Sequence, residues 1–126
     1  MNILNNLKYT KNHEWVLLED NLATIGITDY AQRELGDIVY VEIDTINQFL
    51  NVDDTFGTVE AVKTVSDLFM PVTGKVIEFN NILDSNPELI NEDPYNKGWL
   101  IKVDIDKIGL NDGLLSPESY KELIGL

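Results

Sequence analysis

The sequence predicts a mainly β fold with short helices, a sandwich or partly closed barrel, and three observations carry that expectation. Short runs rich in β-branched and aromatic residues recur along the chain, separated by polar, Gly- or Pro-containing turns. Helix signals are confined to brief stretches at 28–35, after Pro87 and at 116–124, so strands do not alternate with long helices as βαβ units require. The chain has 126 residues, 44% hydrophobic, and no Gly/Ser/Pro-rich linker, which fits one domain spanning 1–126 around a core of its own.

Taken in order, residues 12–18 predict a strand that ends at the polar turn Glu19-Asp20-Asn21, and residues 22–27 return beside it with alternating apolar positions. His13 is expected as a partly buried ring bonded to backbone, since no nucleophile flanks it, and Trp15 as core or sheet face. Thr28 or Asp29 caps a short helix through Leu35, Gly36 stands where a left-handed C-terminal residue is wanted, and Ala31 with Leu35 forms a narrow apolar stripe. Residues 37–43 make the clearest strand, with Val39, Val41 and Ile43 expected inward and Ile38, Tyr40 and Glu42 outward. The connection 44–54 is polar, with Phe49 as its anchor and an acidic turn at Asp53-Asp54.

Two strand-like runs, 55–60 and 64–70, meet at Ala61-Val62-Lys63, which puts Lys63 at the tip of a hairpin. The bend carries no Asn-Gly or Asp-Gly pair, so an ordinary type I turn is expected, with the lysine in solvent. Residues 71–74 read as a further turn, with Pro71 fixing φ early and Gly74 at positive φ late, ahead of a strand over 75–79. Beyond it, 80–90 reads as a loop with one short helix opened by Pro87, 91–99 as a turn cluster, and 99–105 as a half-buried strand. Ser116 as cap and Pro117 at N1 start a last helix through Ile124, whose Tyr120, Leu123 and Ile124 are expected to seal one open end of the β core.

Nine basic against twenty-two acidic residues give a net charge of −13, which opposes binding to nucleic acid or anionic membrane surfaces and favours basic protein partners. There is no cysteine, which removes disulfides, thiolate metal sites and a cysteine nucleophile, and the lone His13 cannot build a histidine metal site. Residues 1–7 carry neither a signal-peptide pattern nor the arginines of a mitochondrial transit peptide, and no run approaches the length of a membrane span. A cytoplasmic location is expected, although a processed mitochondrial form would read the same.

Glu60-Ala61-Val62-Lys63-Thr64, Ser66-Asp67 and Gly74 resemble the lipoyl-attachment segment of the H-protein family of the glycine cleavage system, with Ala61 where that family has Ser. Further segments resemble the family in matching order: Leu7-Lys8-Tyr9, His13-Glu14-Trp15, Gly26-Ile27-Thr28 with Asp29, Leu35-Gly36-Asp37-Ile38-Val39, Gly98-Trp99 and the C-terminal helix. The resemblance implies the barrel-sandwich hybrid of lipoyl domains and a monomeric, non-catalytic carrier. It implies lipoic acid joined by an amide to Nζ of Lys63, as N6-lipoyllysine, put there by lipoate-attaching enzymes. In the family this arm receives an aminomethyl group from glycine at the decarboxylase (P-protein) and passes its one-carbon unit to tetrahydrofolate at the aminomethyltransferase (T-protein). Dihydrolipoamide dehydrogenase (L-protein) then reoxidises it. A loaded arm carries an amine and a labile carbon that need shielding from water, and Glu14 and Asp67 are the carboxylates expected to hold the ammonium.

Other classes fit less well. Biotin carriers share the implied fold but frame their lysine with methionines, where Val62 and Thr64 stand here, and a Schiff-base lysine needs a desolvation that a hairpin tip does not provide. The His13-Glu14-Trp15 segment and the terminal helix fit H-proteins better than a lipoyl domain of another complex. A purely structural interaction module would leave Lys63 unmodified. A lipoyl donor in a protein-lipoylation relay, acting without glycine cleavage, is the alternative that no residue separates.

Overall fold

The computed structural model describes residues 1–105 and 113–126. Among them the chain runs through β1 (Lys8–Tyr9), β2 (Glu14–Glu19), β3 (Leu22–Ile27), α1 (Asp29–Leu35), β4 (Ile38–Glu42), β5 (Phe49–Leu50), β6 (Thr55–Ala61), β7 (Val65–Phe69), β8 (Gly74–Phe79), α2 (Leu89–Glu92), β9 (Ile101–Ile105) and α3 (Pro117–Leu123), with a 3₁₀ turn at Asn81–Asp84. The strands form two antiparallel sheets, one in the order β1-β2-β3-β9-β8-β5 and a smaller one in the order β4-β6-β7. Val16, Ile25, Val76 and Val103 of the larger sheet share one apolar cluster with Val41, Val59 and Leu68 of the smaller, and none is more than 3% exposed. Removing this apolar area from water is what holds the two sheets together.

A second cluster of Leu7, Tyr9, Trp15 and Tyr120 is closed by α3. Here Ser116 accepts from Ser119 N and Pro117 opens the helix, as the sequence predicts. The seal differs in one residue: Tyr120 is fully buried and Ile124 packs on the cluster, but Leu123 is 50% exposed because it lies on the helix face turned away. At α1 Thr28 is the N-cap, accepting from Ala31 N at 3.1 Å, and Gly36 beyond its end takes φ 80.

Elsewhere the structure corrects the reading. β2 begins at Glu14 rather than at Asn12, because Thr10 to Glu14 forms a tight turn in which His13 takes φ 68. In β4 the register shifts between Ile38 and Tyr40, and this bulge turns Ile38 inward with Val41 while Val39, expected in the core, is 46% exposed. Among the described residues Phe49 packs on neither apolar cluster and is 64% exposed on the edge strand β5; Ile46 and Leu50 pack on the core instead, and Thr45 Oγ1 donates to Phe56 O. Gly74 has no positive φ: it is the first residue of β8, and a Cβ there would lie 2.5 Å from Asp104 O, so glycine serves close approach to β9. Where one short helix was expected between 80 and 90, the chain makes the 3₁₀ turn and then α2, with Leu83 and Ile90 buried.

Candidate carrier site

β6 and β7 pair in the register Thr58↔Asp67, Val59↔Ser66 and Glu60↔Val65, and Ala61 N donates to Thr64 O at 2.7 Å where the hairpin closes. Val62, Lys63 and Thr64 are exposed and none takes positive φ, in keeping with an unprimed turn. The tip is also tied sideways, because Val62 N donates to Asp37 O at 3.1 Å. That segment is itself pinned: Asn91 Nδ2 donates to Gly36 O at 2.8 Å and Asn91 Oδ1 accepts from Ile38 N at 2.9 Å. The aliphatic stem of Lys63 passes Gly36, where an added Cβ would lie 3.8 Å from Cε.

Leu35, the residue before Gly36, lines a cavity of about 140 Å³ between α1, the turn before β2 and the hairpin. Ile27, Ala31, Leu35, Val59 and Leu68 form apolar walls, while Asn12, His13, Glu14, Glu34, Ser66 and Asp67 add polar groups. Glu14 and Asp67, singled out from the sequence, are thus brought to one cavity near the lysine. Glu34 is a third carboxylate there that sequence reasoning missed; it lies three residues beyond Ala31 on the same helix, a spacing that shares a face. A larger hollow of about 410 Å³ shares Asn12 and Glu14 but carries Lys11 among its walls and none of Ser66, Asp67 or Leu68, so size alone does not select the site.

Glu14 is 2% exposed. Burial disfavours its charged form and pushes its pKa up from an ordinary 4.5 to about 7; hydrogen bonds from Thr10 and the Phe69 backbone pull it down, and Asp53 pushes it further up. Thr10 Oγ1 donates to Glu14 Oε1 at 2.6 Å and also accepts from Glu14 N at 3.1 Å, so the carboxyl is held in one orientation. His13 departs from expectation, because its Nδ1 pairs with Tyr120 Oη at 2.9 Å rather than with backbone. Burial lowers its pKa and the nearby Glu34 charge works the other way.

Lys63 stands exposed at the hairpin tip with its stem passing Gly36, and Leu35, the residue before Gly36, lines a small, partly apolar hollow that also holds three carboxyl groups. Fold and site together are those of a small β carrier domain, with a lysine displayed at the exposed tip of a tethered hairpin. The comparisons with known proteins make this specific. The family model for the glycine cleavage H-protein matches residues 7–125. The glycine cleavage system H protein of Staphylococcus haemolyticus (strain JCSC1435) is 54% identical over 125 residues, covering 99% of each chain. That of Bacteroides thetaiotaomicron is 51% identical over 124 residues, covering 98% of each. The crystal structure of a glycine cleavage system H protein from Mycobacterium marinum superposes with a TM-score of 0.91 at 33% identity, covering 98% of this chain and all of that one. The chain belongs to the glycine cleavage H-protein family.

Proposed function

We propose that this chain is the lipoyl carrier of a glycine cleavage system, that Lys63 is its attachment point, and that the cavity beside it receives the charged end of the loaded arm. The observation that carries the reading is the juxtaposition: an exposed lysine at a tethered hairpin tip, its stem beside Gly36, next to a cavity that combines apolar walls with Glu14, Glu34 and Asp67. The residues fit the group. Lys63 presents a primary amine with its stem extended past the backbone, and the walls formed by Ile27, Leu35 and Leu68 suit a hydrocarbon and sulfur end. When attached, the lipoyl group supplies a disulfide that is reduced as it takes up the aminomethyl fragment of glycine.

The chain's own residues do the rest. Lys63 gives several enzymes access to one nitrogen, which a sheet-embedded lysine could not do. Glu14, held by Thr10, ionises readily once an ammonium enters, since a positive charge offsets the burial that raised its pKa. Asp67 and Glu34, both exposed at the cavity, add negative charge from a second and a third direction. The apolar walls exclude water from a labile carbon.

On this reading the 126 residues act as one carrier domain that is a monomer in the cytoplasm. It meets the decarboxylase (P-protein), the aminomethyltransferase (T-protein), dihydrolipoamide dehydrogenase (L-protein) and a lipoate-attaching enzyme in turn, through its acidic surface. Intact mass after incubation with a lipoate ligase, followed by exchange of labelled carbon dioxide into glycine with the decarboxylase, tests it. A gain of one lipoyl mass, with peptide mapping to Lys63 and exchange restored, supports the reading; modification at another lysine sinks it.

A further inference from the structure

The C-terminal helix contributes to the cavity without lining it. Tyr120 of α3 is fully buried, and its hydroxyl lies 2.9 Å from His13 Nδ1 and 2.7 Å from Thr28 Oγ1. Those partners belong to different walls. His13 lines the cavity beside Glu14, and Thr28 is the N-cap of α1, which lines it with Ala31, Glu34 and Leu35.

Chemistry assigns the protons. Thr28 Oγ1 already accepts from Ala31 N, and on a fully buried side chain its own hydrogen needs an acceptor, which Tyr120 Oη provides. Tyr120 O–H then donates to His13 Nδ1, which leaves the ring as its Nε2–H tautomer. In the reverse order the Thr28 hydrogen would lose that acceptor. His13 also holds φ 68, an uncommon conformation for a residue that is not glycine, and such a conformation persists only where its surroundings fix it. Edge contact with Tyr120, at 5.8 Å between ring centres, and a tilted contact with Tyr30 at 4.8 Å complete that setting.

We propose that Tyr120 is a positioning residue of the carrier site: Thr28 N already donates to His13 O at 3.0 Å and Glu14 pairs with Ile27, and the Tyr120 hydroxyl adds the side-chain link that holds the His13 ring against the capped start of α1 and so fixes that wall of the arm cavity. The proposal rests on the cavity's role given above. Phenylalanine at 120 would leave Nδ1 and Thr28 Oγ1 each short of a partner and free the His13 ring to turn, while the backbone bond from Thr28 N keeps the two segments joined.

Tyr9 supplies the control. It stacks on Tyr120 at 4.7 Å, is equally buried, and among the described residues its hydroxyl bonds the Leu4 backbone alone, so Tyr9→Phe removes a comparable hydroxyl from the same cluster without touching either wall. Two readouts are made on wild type, Tyr120→Phe and Tyr9→Phe. The first is the nitrogen NMR titration of His13 in the unmodified proteins, where the groups around the ring are Glu14, Tyr30, Glu34, Asp67 and Tyr120. Tyr120→Phe should raise the His13 midpoint and mix its tautomers, because the bond lost favours the neutral ring, while Tyr9→Phe should change neither. The second is the rate at which the isolated, aminomethyl-loaded protein releases formaldehyde and ammonia. Tyr120→Phe should release about tenfold faster, well inside the roughly hundredfold effect that a 1 Å misplacement can have, and Tyr9→Phe at the wild-type rate.

A rescue variant sharpens the test. His13→Asn keeps an acceptor for Tyr120 and tolerates positive φ, so it should retain most of the protection, whereas His13→Ala should behave like Tyr120→Phe. Equal release from the two Phe variants, or an unchanged His13 titration in Tyr120→Phe, overturns the proposal. Wild-type release as fast as from a free aminomethyl-dihydrolipoamide instead overturns the shielding role itself, and the proposal with it.

Discussion

The hairpin tip at 61–64 and the turn at 10–14 each present one side chain, by opposite means. At the tip, Lys63 and its neighbours are exposed, and Val62 N bonding Asp37 O is the contact that fixes where it stands. In the other turn Glu14 is 2% exposed, Thr10 bonds it twice, and His13 beside it is tied to a helix more than a hundred residues away in sequence. The amine is open to solvent, while the carboxyl is held where burial disfavours its charge. On the function proposed, reach requires few contacts and retention of a cation requires many.

The contrast can be tested from its strongest consequence to its weakest. Lys63→Arg keeps the charge but removes the acylable amine, so the mass gain from lipoate ligase should vanish while the melting temperature stays within a degree or so of wild type. Gly26→Ala attacks the dense region, since the new Cβ would lie 2.5 Å from the Trp15 ring, which is fully buried and donates to Pro94 O at 2.9 Å. It should destabilise by about 1–3 kcal/mol in denaturant titration, with a change in Trp fluorescence.

Glu14→Gln should act in the other direction and depend on pH. A carboxyl whose folded pKa, about 7, lies above its ordinary 4.5 is bound to a proton more often in the folded than in the unfolded chain across that window. Stability from this group therefore falls as pH rises from 4.5 to 7 and stays reduced above it. The Gln variant, which never ionises, should match wild type near pH 4 and exceed it at pH 8.5 by about 3 kcal/mol, from the width of the window. An equal difference at both pH values would show that the side-chain swap, not the titration, is responsible. Last, Val62→Thr, at a site 76% exposed, should change stability by less than about 0.5 kcal/mol, and a larger loss would mean that the tip is packed after all.

The hairpin was readable because its runs of β-branched residues and the bend between them are local, and so were both helix caps, where Thr28 and Ser116 bond amides three residues on. Lys63, Glu14 and Asp67 were reached through the family resemblance rather than through periodicity. What failed was non-local. The bulge at Ile38 and Tyr40 adds a residue without a compositional mark and exchanges the faces of Ile38 and Val39, while Val41 stays inward and Tyr40 and Glu42 outward as expected. Gly74 looks like a turn glycine, but the reason for it is a carbonyl on β9, thirty residues later in the chain. His13 has its partner on α3, and Glu34 is a cavity residue because α1 and β7, distant in sequence, border the same hollow. An exposed Phe49 shows the same limit from the opposite side: an apolar residue in a polar stretch names no partner.

Asn91 joins α2 to the segment after α1, and that segment in turn holds the tip. The address of Lys63 is therefore written in backbone carbonyls and amides at 36–38 rather than in the side chains that flank it. Over evolutionary drift this separates two vocabularies. On the function proposed, the residues on either side of the lysine can be respelled to suit a new ligase or a new enzyme surface without moving the nitrogen that those enzymes would have to find. A change at Asn91, remote from the tip and outside any string a ligase could read, would move it. A lineage that exchanges partners should thus rewrite positions 62 and 64 freely while it keeps the amide at 91.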